Sequence, residues 1–191
     1  MAIKWKIDPA HSEIQFKVRH LMITTVTGYF RTFDLEVETE TEDFHTASRI
    51  EFTAEVDSID TNNQQRDTHL KSSDFFHAEE HGQIRFIGNK YEADGDKAKL
   101  HGDLTIRGIT KPITVDVEFG GALVDPYGQI KTGFTVEGRI SRKEFGLTWN
   151  AVTEAGQVVV SDEIRLHAEI QLVKQVEAYS TEMADTASLK S

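Results

Sequence analysis

The chain has no cysteine among its 191 residues. That excludes disulfide bonds and thiol catalysis, and it argues against a structural zinc site of the usual thiolate kind. No run of about 18 apolar residues occurs, so no helix is expected to span a membrane. The first residues, Met1-Ala2-Ile3-Lys4-Trp5, form no apolar secretion signal and lead straight into strand-like sequence. A cytoplasmic protein is the expectation. Basic residues are outnumbered, 21 Lys and Arg against 32 Asp and Glu, for a formal net charge of −11. No basic cluster overturns that average, so nucleic acid is not an expected partner. Also missing are a Gly-x-Ser-x-Gly elbow, a Ser-x-x-Lys pair and any phosphate-cradling glycine loop. No catalytic residue and no cofactor site is assigned.

What is present is alternation. Glu13-Ile14-Gln15-Phe16-Lys17-Val18-Arg19 places every second side chain on one apolar face, as do the segments 49–56, 113–119 and 163–172. Fainter runs surround Phe33-Leu35-Val37, Ile84-Phe86, Leu104-Ile106 and Phe134-Val136. That makes about eight strands, each with one wet face. Turn signals at Ala93-Asp94-Gly95-Asp96, Arg107-Gly108, Gly120-Gly121 and Asp125-Pro126-Tyr127-Gly128 join them as an antiparallel meander. Eight such strands hide their apolar faces by pairing two sheets or by closing into a barrel, and closure removes the exposed edges. Strand parity puts Ile14, Phe16, Val18, Phe52, Val115, Val117 and Leu166 on the inner face, lining a continuous apolar cavity. Residues 60–82 break the pattern as a polar loop with short helical pieces, read as covering one barrel end. A barrel domain over 1–174 and a weakly helical tail over 175–191 complete the division.

The histidines and charges invite chemistry, each with a plainer alternative. His20 continues the inward row of Ile14, Phe16 and Val18 to the cavity mouth, where it either meets a ligand or caps the strand through a backbone bond. His101 and His167 point outward by the same parity. Arg66, Asp67 and His69 lie in the covering loop, where they either hold a ligand head group or pin the loop to the rim. His77-Ala78-Glu79-Glu80-His81 has two histidines four apart. The zinc-protease pattern needs Glu directly after the first His, where Ala78 stands, and no sure third ligand is visible. They are read as solvated loop histidines, and no metal is assigned. Glu36, Glu38, Glu40 and Glu42 are read as a solvated outer face.

The blocks Trp5 to Leu21, Gly28-Tyr29-Phe30, Ser58 to Thr61, Arg66 to Phe76, Gly102 to Pro112 and Arg142 to Leu147 stand in the order seen in the YceI-like family of polyisoprenoid-binding, lipocalin-like proteins. The chain resembles that family from about Trp5 to Lys174. The resemblance implies an all-β, eight-stranded antiparallel barrel of lipocalin-like shape, a homodimer, and an isoprenoid chain held in a central tunnel. It implies that the loop carrying Arg66 to Phe76 packs at the cavity. Gly82 stands where relatives commonly carry proline, which implies a less rigid loop. The leading expectation is a non-enzymatic binding or carrier protein for a polyprenyl or prenyl-quinone lipid. Two alternatives stay open: an enzyme acting on a hydrophobic substrate in the same barrel, or a barrel filled by its own side chains that serves as a scaffold.

Overall fold

A computed structural model describes residues 1–151 and 159–176. Apart from its first two residues, the expected tail lies outside the described residues. Among the described residues there are eleven strands: β1 (Ile3–Ile7), β2 (Glu13–His20), β3 (Thr24–Phe30), β4 (Phe33–Thr39), β5 (Ala47–Glu55), β6 (Ile59–Asp60), β7 (Gln83–Asp94), β8 (Lys97–Ile106), β9 (Ile109–Val124), β10 (Ile130–Ser141) and β11 (Val160–Lys174). One α-helix, α1 (Gln64–Lys71), lies between β6 and β7.

These segments make eight staves, because the first three are each broken once. β1 and β2 are one stave bent at a 3-10 turn over Pro9–His11. Proline there has no N–H to give the ladder, and the Asp8 carboxylate accepts the Ala10 amide at 3.1 Å instead. β3 with β4, and β5 with β6, are the next two. Neighbours pair antiparallel throughout, β4 with β1 and β5, β3 with β2 and β6, then β5, β7, β8, β9, β10 and β11 in turn. β11 closes the ring, pairing with β2 over its first part and with β1 at its end. The result is a closed eight-stranded antiparallel barrel, in which only the two-residue β6 pairs on one side alone.

The two ends differ. Short connections after β4, β7 and β9 gather at one end. At the other lie residues 61–82 with α1 and, of the long connection between β10 and β11, residues 142–151. The interior divides accordingly. Near the short turns it is filled: Trp5 is 2% exposed, its indole N–H donates to Thr39 Oγ1 at 3.0 Å, and its ring stacks on Phe44. Phe44 meets Phe134, which meets Phe119, with ring centroids 4.8 and 5.5 Å apart. Toward the long connections Ile14 and Phe16 of β2, Phe52 of β5, Val136 of β10 and Ile164, Leu166 and Ala168 of β11 are only partly buried. Large side chains there lie over glycines, since a Cβ on Gly28 would sit 2.1 Å from the Phe16 ring. This small-against-large pairing is what a barrel of this girth requires.

Candidate functional site

The hollow half encloses a cavity of about 640 Å³, within the roughly 300–1,000 Å³ of small-molecule sites. Ile14, Phe16 and Val18 of β2, Phe52 of β5, Val115 of β9 and Leu166 of β11 all border it. Val117 does not. It faces inward and is 6% exposed, but it lies one step nearer the filled half, between Ala98 and Val136 and next to the Phe119–Phe134 pair. Parity tells which face a side chain takes but not how deep along the barrel it falls.

Polar groups concentrate at the end covered by the long connections. His20, Arg66 and His69 border the cavity there. The His20 carbonyl accepts the Ile23 amide at 3.1 Å, closing the turn to β3. Asp67 turns away. Its carboxylate accepts the amide and hydroxyl of buried Thr61, at 2.9 and 2.5 Å, so both donors of that residue find an acceptor. Arg66 shares that anchor, donating from Nε to Thr61 Oγ1 at 2.7 Å and from a terminal nitrogen to Thr61 O at 2.6 Å. Helix α1 is therefore pinned to the rim by Asp67 and Arg66 together, and Asn63 caps it by accepting the Arg66 amide. The ring of His69 is bonded to Asp74 at 2.8 Å and sits edge-on to Phe75 and Trp149.

Several wall residues were not picked out by parity. Phe75, Phe76 and Trp149 come from the covering connections and pack over the cavity. Arg142 also borders it and is 2% exposed. Its guanidinium donates to the carbonyls of Leu147, Trp149, Ser161 and Val160, at 2.6 to 3.2 Å. It ties the segment after β10 to the start of β11 and so holds Trp149 in place. Burial pushes the Arg142 guanidinium below its usual range, opposed by the nearby Asp162 charge. Burial also raises the Asp162 carboxyl, but bonds from the Ser141 hydroxyl and the Lys143 amide outweigh it and hold the group below the ordinary carboxylate range. A charge of one sign in a run that otherwise alternates apolar residues is the signal that could have marked Arg142. The arrangement offers a largely apolar wall, with His20, Arg66, His69 and Arg142 bordering it near the long connections.

The YceI-like domain model matches residues 5–172. A UPF0312 protein of Staphylococcus epidermidis is 37% identical, covering 88% of this chain and 96% of that protein. One of Staphylococcus aureus is 39% identical over 86% of this chain and 94% of its own length. Among solved structures, the Campylobacter jejuni YCEI protein superposes with a TM-score of 0.71 at 32% identity, covering 83% of this chain and 90% of that one. A polyisoprenoid binding domain from Saccharophagus degradans has the same fold, with a TM-score of 0.65 at 12% identity and coverage of 90% and 98%.

Proposed function

The chain belongs to the YceI-like family, and from that premise we propose that it is a non-enzymatic carrier holding a long isoprenoid lipid, of polyprenyl or prenyl-quinone type, in the hollow half of its barrel. The observation that carries this reading is the cavity, an aliphatic and aromatic wall with its polar groups gathered at one end. An isoprenoid tail presents almost only apolar surface. Each 100 Å² of it withdrawn from water contributes roughly 2.5 kcal/mol, offset in part by the ordering of the chain. His20, Arg66 and His69 are the groups within reach of a polar head, with Asp67 acting through Thr61. A cavity of this size also speaks against a barrel wholly filled by its own side chains. The solved domain described as polyisoprenoid-binding lends the same reading support at the level of the fold. A cytoplasmic homodimer is part of the proposal, to be checked by cell fractionation and by light scattering on a sizing column.

Native mass spectrometry of gently purified protein tests the central claim. The expected spectrum holds a second species, heavier by one lipid whose fragments are spaced by isoprene units. Protein that carries no lipid, and takes up neither a polyprenol nor a prenyl quinone when offered one, would overturn it.

A further inference from the structure

On the outer side of the segment that covers the cavity, we infer that His77, Glu80 and His81 form a binding site for one late divalent transition cation of the zinc class. The residues share a single helical turn. The amides of Glu80 and His81 both donate to the His77 carbonyl, at 3.1 and 2.9 Å. Side chains three and four residues apart then leave the same side of the turn. One donor atom from each of the three lies within 4.8 Å of the others, and His77 Nδ1 stands 3.8 Å from Glu80 Oε2. Ligand atoms bound at about 2.0–2.2 Å to one ion must come nearer than that. The movement falls to Glu80, whose side chain is 68% exposed and free to swing in.

Two features of the backbone favour this geometry. His77 has a φ of +52°, left-handed for a residue that is not glycine. Such a conformation persists only where its surroundings hold it, and here it opens the turn that carries the other two donors. The His81 ring lies against Gly108, where a Cβ would come within 3.0 Å of it. Gly108 is thus required both for its own φ of +72° and for the room it leaves the ring. Next to it, Arg107 donates to the Phe75 carbonyl at 3.0 Å. A cation joining His77 to His81 would therefore tie the covering segment to the β8–β9 turn. Two imidazoles with one carboxylate select zinc-like ions over magnesium or calcium. Three protein ligands leave a position for water.

The spacing hid this site because the segment reads as loop, and a loop gives no reason to count Glu80 with the two histidines. The inference is independent of the lipid. Full-length protein, stripped with a chelator and titrated with zinc chloride in a calorimeter, should bind one equivalent, and magnesium chloride should give no such isotherm. His77→Gln and His81→Gln should each weaken binding at least about tenfold, and Glu80→Gln should weaken it less. Nitrogen-correlated NMR of the unaltered protein gives a readout free of substitutions, in which zinc should move the imidazole signals of His77 and His81 among the eight histidines. No saturable equivalent, an equivalent kept when His77→Gln and His81→Gln are combined, or shifts confined to other histidines would overturn the inference.

Discussion

The two halves of this barrel are made by one strand pattern and held together by different forces. In the filled half, Trp5, Phe44, Phe119 and Phe134 interlock and leave little unoccupied space. Dispersion and burial do the work there. In the hollow half the inward side chains face a cavity, so wall-to-wall packing is missing. Order at that end comes instead from polar ties across the covering connections: Arg142 on four carbonyls, Asp67 and Arg66 on Thr61, Arg107 on the carbonyls of Phe75 and Gly146. A barrel of eight staves sits at the size where the interior is either just filled or holds one ligand. This chain does both, at opposite ends.

The largest effects should come from removing the anchor of each half. Trp5→Ala deletes the centre of the aromatic stack and is expected to cost about 3–5 kcal/mol in urea unfolding. Arg142→Met leaves the carbonyls of Leu147, Trp149, Ser161 and Val160 without their donor and is expected to cost about 2–4 kcal/mol. Added prenyl lipid separates the two. A ligand adds the same increment to any variant that keeps its affinity. It should raise the melting temperature of the Trp5 variant as much as that of the parent, and that of the Arg142 variant less, because Trp149 has lost its tether. Equal shifts in both would show that the two ends are not separate in function.

Turning the hollow half into a second filled half is the next test. Ala168 of β11 borders the cavity, opposite Ile14 on β2 and Val136 on β10. Ala168→Phe puts a ring into the open space. Lipid affinity should fall at least about tenfold, about 1.4 kcal/mol, while the urea midpoint stays within the spread of ordinary surface substitutions. Undiminished lipid binding would move the ligand out of this cavity.

How much of this was legible beforehand follows from what is local and what is not. Each of the eight alternating runs falls on a different stave, because the period of two is a property of the strand itself. The breaks at Pro9–His11, at Arg31-Thr32 and at Val56–Ser58, which turn eight staves into eleven strands, were not read from the alternation. The division into filled and hollow halves was invisible, since it depends on which volumes meet across staves remote in sequence, Phe44 with Phe134 for instance. That is why Val117 falls outside the cavity although its face is inward. Asp67 turned from the mouth for the same kind of reason: its partner, Thr61, lies across a turn that only the folded helix α1 closes. Arg142 stood within a block of the family resemblance and in the inward row of Phe134, Val136 and Ile140, but the four carbonyls that meet it come from segments that only the fold brings together.

The junction between the halves offers a smaller, pH-dependent test. Asp8 sits at the bend of the first stave, bonded to His11 Nδ1 at 2.8 Å and to the Gln171 side chain at 3.1 Å. The His11 bond, opposed by burial, holds its carboxyl below the ordinary value of 3.8. A carboxyl depressed in the folded state adds stability that is fully present above its unfolded value, near pH 4, and is lost as pH falls through the folded value. Urea midpoints of the parent should therefore decline on acidification below about pH 4. Those of Asp8→Asn should start lower at pH 7 and decline less steeply. Parallel acid limbs would mean that the bend is not held by this carboxylate.

The smallest expected effect is a gain, and it lies in the half that looks finished. Thr132 on β10 is 2% exposed in the filled end, paired across the ladder with Leu172 and Ala122. Its hydroxyl has no hydrogen-bond partner among the described residues. A hydroxyl taken from water without a partner costs free energy that an isosteric methyl does not. Thr132→Val keeps the volume and the β-branched shape that the strand favours, so it should stabilise the protein by about 1 kcal/mol. The same exchange at Thr39, whose hydroxyl receives the Trp5 indole N–H, should destabilise by a similar amount, because it strands that donor. The pair of variants compares two buried threonines of one half that differ only in whether the hydroxyl is used. A loss of stability in Thr132→Val would show that its hydroxyl is satisfied in solution, by a water seated between the staves, and that the filled half is less tightly closed than its aromatic stack suggests.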